Sequence, residues 1–255
     1  MDLTTICERF DDRLALGEYA DVDASANGLQ VGPDEKPVET VAFAVDGVAA
    51  TAEAAADRDA DLLVVHHGVS FGGIERVTGR QYGRIAPLVE NDVALYAAHL
   101  PLDGHQELGN AAGVADALGL EGREPFGELG PVHIGQRGHL PEPAARDELA
   151  ETLAADLDTG GRPVTVLDSG PETVEDVAIV TGAGADWLDE AVESGADAFV
   201  IGEGKHRLYH EAREAGLNVY LAGHYATETF GVRALQDLAA EWGLETTFVD
   251  HPTGL

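Results

Sequence analysis

Hydrophobic positions along the chain gather into short dense runs separated by longer stretches of mixed polarity. Runs at 38–45, 61–66, 93–98, 163–168, 176–181, 197–202, 218–222 and 245–250 are rich in Val, Ala and Leu at successive positions. Such continuity predicts strands buried on both faces rather than strands with one wet side. Between them, apolar residues recur at helical spacing, predicting helices near 3–16, 48–58, 81–91, 109–118, 143–157, 184–194, 205–215 and 228–241. Gly195, Gly216 and Gly243 stand where three of these helices should stop. The alternation predicts an α/β protein, with buried strands flanked by helices. DVDASANGLQVG (21–32) reads as a loop, and periodicity lapses again over EGREPFGELGP (121–131). PVHIGQRGHL (131–140) then reads as a strand, so two α/β units are expected, 1–128 and 129–228, with 229–255 a candidate to complete the first.

Composition adds habitat more than chemistry. The 255 residues carry 47 acidic and 15 basic side chains, a formal charge of −32, yet 44% of residues are apolar. That apolar fraction supports a folded core, so the acidity is not a sign of disorder. Evenly spread acid suits concentrated salt, where screening mutes self-repulsion, and a halophilic protein is the expectation. It also argues against a duplex nucleic-acid partner, which needs basic phosphate contacts. Cys7, the single cysteine, cannot form an internal disulfide and falls in the apolar pattern of the first helix, as a packing residue. No apolar run approaches the ~20 residues that span a bilayer, and no leader pattern opens the chain. A cytoplasmic protein is expected.

Three predicted strands end in histidine and carboxylate. DLLVVHH (61–67) ends in His66 and His67, VALYAAHLPLD (93–103) carries His99 and Asp103, and NVYLAGHYATE (218–228) carries His224 and Glu228. Carboxyl ends of strands are where open α/β folds place ligands. Each residue has an ordinary reading too: a hydrogen-bonded histidine at a strand end, a helix cap, or, for Glu228, an acid complementing a helix dipole. Taken together, imidazoles and carboxylates without thiolates suit Zn, Fe, Mn or Co, and two ions would lower the pKa of a water and polarise a substrate oxygen. IGEGKHRLYHEARE (201–214) adds Glu203, and His206 with His210 at i,i+4, as supports or substrate contacts. Arg76, Arg80 and Arg84 follow the histidine pair and read as an exposed helix face or a phosphate contact. TGAGAD (181–186) resembles a phosphate turn only loosely.

NGLQVG (27–32), DLLVVHHG (61–68), AAHLPLD (97–103) and AGHYATE with GVRAL (222–235) together resemble the NIF-three-like family of dinuclear-metal proteins, whose members are often labelled GTP cyclohydrolase type 2 homologues. The resemblance covers nearly the whole chain, in the short form that lacks a mid-chain insertion. It implies that His66, His67, Asp103, His224 and Glu228 hold two divalent metal ions, with Glu228 between them and His99 a near neighbour. It also implies two-domain α/β subunits assembled as a homo-oligomer, a ring-shaped hexamer. Gly68 stands where many members have Pro, and Tyr225 where some short members have a second His; both bear on substrate choice and neither removes a ligand.

The reaction implied is metal-dependent hydrolysis of a small nucleotide or phosphorylated substrate. Against the family label, the chain shows no evident guanine pocket, no Cys ligand and no clear Arg cluster for a triphosphate. The competing readings are a metal-handling protein or metallochaperone and a ring-shaped scaffold without catalysis.

Overall fold

The apolar runs become strands of two sheets in a computed structural model that describes residues 1–255. The chain divides into two compact units, one of Met1–Leu102 with Gly231–His251 and one of Asp103–Phe230 with Pro252–Leu255. Strands are numbered along the chain.

The first unit holds β1 (Gly28–Val31), β2 (Thr40–Asp46), β3 (Leu62–His67), β4 (Ala94–Ala97) and β11 (Glu245–Phe248), in the order β1-β4-β3-β2-β11. Only β1 runs antiparallel to its neighbour. Phe43, Leu62, Val64 and Tyr96 pack on one face with the helices Leu3–Leu14 and Thr229–Glu241. Ala44, Leu63, Val65 and Leu95 pack on the other with Ala52, Ala55 and Leu88. Both faces are therefore covered, as the unbroken apolar runs require. Cys7 is buried in the first of these clusters, and burial, helped by the Asp11 carboxylate, pushes its thiol up to about 12.

The second unit orders β5 (Glu121–Leu129), β6 (Val132–Ala145), β7 (Thr165–Asp168), β8 (Thr173–Val180), β9 (Ala198–Ile201) and β10 (Asn218–Leu221) as β5-β6-β8-β9-β10-β7. A parallel trio, β8-β9-β10, is flanked by antiparallel strands. Helices Asn110–Ala117 and Arg146–Asp156 contribute to its core through Val114, Leu149 and Leu153.

Several expectations need correction. Residues 103–128, read as the end of the first unit, belong to the second. The segment read as a loop at 21–32 contains β1, and the lapse at 121–131 is β5. Gly122, at φ 60°, lies where the ladder shifts register between Glu121 and Glu124 and serves a bulge, whereas Gly127, at φ 76°, sits within regular pairing. β6 runs on to Ala145, so the next helix starts at Arg146 rather than 143. Pro141 and Pro143 lie in the gap between His139 and Ala144 where ladder pairing shifts, which is where a strand tolerates them.

Candidate metal centre

In the first unit, β3 delivers His66 and His67 at its carboxyl end. His66 is fully buried, and its Nδ1 lies 3.0 Å from the carbonyl oxygen of Ala98. A carbonyl only accepts, so Nδ1 carries the proton and Nε2 the lone pair. His67 Nδ1 lies 2.9 Å from Asp46 Oδ1, at the end of neighbouring β2. His99 follows β4, with Nδ1 2.9 Å from Asp23 Oδ1. Ring centroids of the three histidines are 4.5, 5.1 and 5.6 Å apart, and one nitrogen from each falls within 4.8 Å of the others.

The loop before β1 fixes His99. Asp23 accepts from the backbone N–H groups of Ser25 and Leu100 and from the Asn27 amide, while Asn27 Oδ1 accepts from the N–H of His99. Burial alone would raise the Asp23 pKa, but the bonds to His99, Asn27 and Ser25 prevail and hold it below the usual carboxylate range. Each imidazole thus has its Nδ1 fixed by an oxygen, the arrangement found behind metal-bound histidines.

In the second unit, Asp103 and Glu228 are buried, with ligand oxygens within 4.8 Å of each other. Asp103 Oδ1 accepts from Asn110 Nδ2 at 2.8 Å and Thr181 Oγ1 at 3.0 Å. Glu228 is not in the first turn of a long helix, as the spacing suggested. It links the one-turn helix His224–Thr227 to Thr229–Glu241 with φ −109° and ψ 9°. His224 Nε2 lies 3.2 Å from Glu228 Oε1, and its Nδ1 3.4 Å from Glu203 Oε1. Burial would lower the His224 pKa, but the Glu228 and Glu203 carboxylates prevail and raise it to about 9.

Gly182, at φ 59°, leaves room for this carboxylate, because a Cβ there would run into Glu228 Oε1. Its N–H is held by Thr227 Oγ1, and its carbonyl accepts from the N–H groups of Gly202 and Glu203. TGAGAD is therefore part of the carboxylate cradle: Thr181 holds Asp103 and Gly182 clears space for Glu228.

The other candidates divide. Glu203 touches His224, whereas His206 and His210 are exposed and face each other edge-on at 6.1 Å, with Tyr209 against His210. Tyr225 is buried and lines a cavity of about 230 Å³ with Thr159, Arg162, Glu203 and Leu221. Given no role in the sequence were Asp23, Asn27, Asp46 and Asn110. Gly182 stood out only within TGAGAD, read there as a loose phosphate turn.

The residues present fit divalent cations. Imidazole nitrogens are borderline donors and carboxylate oxygens hard ones, a mixture that suits such ions. A family model matches residues 1–253. The chain belongs to the Duf34/NIF3 (NGG1p interacting factor 3) family. It is 60% identical over all of both chains to a Halobacterium salinarum protein named GTP cyclohydrolase 1 type 2 homolog. An Escherichia coli protein of the same name is 40% identical, over 93% of this chain and 94% of its own. The crystal structure of TTHA1606 from Thermus thermophilus superposes over all of both chains with a TM-score of 0.90 at 39% identity.

A Cβ at Gly68 would collide with the Gln30 side chain, whose Oε1 accepts from the N–H groups of Val69 and Ser70. Glycine at 68 and glutamine at 30 are therefore matched, and together they set the path of the loop after β3.

Proposed function

We propose that His66, His67, Asp103, His224 and Glu228 hold two divalent metal ions and that the protein is a metal-dependent hydrolase of a small nucleotide or phosphorylated substrate, working as a ring-shaped hexamer. The observation that carries this reading is the commitment of each imidazole Nδ1 in the first unit to an oxygen, at 3.0 Å for His66 and 2.9 Å for His67. A histidine serving only as core packing needs no such fixed tautomer beside a second one. Two ions so held supply Lewis acidity, making hydroxide available near neutral pH and polarising a substrate oxygen.

The chain's own residues orient and neutralise. Asp46 steadies the His67 ring and favours the tautomer that carries its proton on Nδ1. Asn110 and Thr181 occupy Asp103 Oδ1 and so set the direction of its remaining lone pairs. Glu203 is exposed and bonded to His224, well placed to take up the proton that His224 gives up on ligation.

The test is elemental analysis of protein purified in high salt without chelator, beside three variants. Close to two transition-metal ions per chain are expected, halved or lost in His67→Ala. Glu228→Gln should weaken both ions, and Asp103→Asn one more than the other. Equal metal in all four proteins would refute the ligand set. Turnover is then sought across nucleotides and phosphoesters, and its absence with two ions bound would leave a metal-handling protein.

A further inference from the structure

The loop after β3 and the helix Arg80–Glu90 border a cleft of about 450 Å³ in the first unit, lined by Val69, Phe71, Glu75, Arg76, Gln81 and Arg84 among others. Phe71 stands 45% exposed, with its ring edge-on to His99 at 5.2 Å and 6.3 Å from His67. It is held there by more than its own packing. Phe71 forms an isolated β-bridge with Ser25, the Gly72 N–H donates to the Ala24 carbonyl, and the Ala26 N–H donates to the Ser70 carbonyl. Gln81 Nε2 ties the Val69 carbonyl to the helix. An apolar ring fixed by backbone bonds beside histidines, and left open to solvent, is a stacking surface already in position.

The charges around it are basic in a chain that is mostly acidic. Several cations of the chain sit with acids: Lys36 with Asp92, Arg123 with Asp116, Lys205 and Arg207 with Asp186, Arg233 with Asp250. In a sequence with 47 acidic residues against 15 basic ones, Arg76, Arg80 and Arg84 lie within nine positions and none forms an ion pair. Two of them line the cleft, with Glu75 the one acidic side chain in its wall. Guanidinium groups left unpaired in an acidic protein are available to an anion, and phosphate takes them in bidentate fashion.

We infer that this cleft binds a mononucleotide, with the base stacked on Phe71 and the phosphate held by Arg76 and Arg84. The inference rests on the hydrolase reading for its biological sense, because Phe71 touches the histidines of the candidate centre. The binding residues all belong to one unit and include no proposed ligand, so binding is expected in metal-loaded and metal-free protein alike.

The experiment is calorimetric titration of both forms with guanosine and adenosine monophosphates, inorganic phosphate and free nucleosides, at low and high potassium chloride. The Arg76→Ala/Arg84→Ala double variant should bind nucleotide at least about tenfold more weakly, with a smaller salt dependence and unchanged metal content and melting temperature. Phe71→Leu should weaken nucleotide several-fold and leave inorganic phosphate unchanged. Wild-type affinity in either variant, or no nucleotide binding to either form of the wild type, would overturn the inference. Metal content separates the two claims. Two ions without nucleotide binding refutes the cleft alone, and nucleotide binding without ions refutes the proposed centre alone.

Discussion

His224 carries the strongest pH signature among the site residues. Glu228 and Glu203 outweigh the cost of burying its positive charge, and its pKa rises from 6.5 to about 9. A group whose pKa is higher in the folded state stabilises the fold while protonated, and that contribution is complete below the unfolded value. Its share of stability is therefore full below about pH 6.5 and disappears as pH climbs through about 9. Metal-free protein should lose no more than about 3 kcal/mol across that window, read as a falling melting temperature. His224→Gln should remove the slope, and an equal slope in this variant would show that another group titrates. Ligation requires the same proton to leave, so metal affinity should rise with pH over the same interval.

At the scale of elements, the turn after β8 tests whether the carboxylates depend on their surroundings. Gly182→Ala asks a non-glycine residue to take φ 59° and pushes a methyl group into Glu228. The backbone conformation alone costs about 1–2 kcal/mol, so the fold should survive while metal is halved or lost. Normal metal content in a folded variant would show that Glu228 does not need that space. Gly182 also marks how far the sequence is legible. β2, β3, β4, β8, β9 and β10 were readable because strands buried on both faces leave unbroken apolar runs. β1 and β5 were not, since GLQV is fully buried only at Gly28 and β5 is mostly exposed, with Gly122 at a bulge, so neither leaves an unbroken apolar run. His66, His67 and His99 stood out because strand ends place them in sequence next to apolar runs. Asp23, which orients His99, sits 76 positions away, and Thr181 lies 78 positions from Asp103. No local pattern encodes a partner at that distance. Glu228 was found by its spacing from His224, although the helix expected to carry it begins one residue later.

Over the whole molecule, the charge of −32 is the dominant long-range term. The ion pairs formed are mostly at the surface, such as Arg233–Asp250 and Arg123–Asp116, and pairs of that kind contribute only ~0–1 kcal/mol each. They cannot offset the mutual repulsion of the acidic residues left over. Screening can, because the Debye length shrinks from about 10 Å at 0.1 M salt to about 3 Å at 1 M. No helix is long and apolar enough to cross a membrane. Repulsion also scales with the number of copies brought together, so assembly should respond to salt more steeply than folding does. In molar potassium chloride, light scattering is expected to give the mass of six chains. As salt is lowered the mass should fall towards one chain before circular dichroism reports unfolding. Sucrose at matched osmolality should not substitute for the salt, since it stabilises by exclusion and leaves the charges unscreened. A mass that stays constant from millimolar to molar salt would mean that the acidic surface is neutralised within the fold, and that the salt-adapted reading of this chain is wrong.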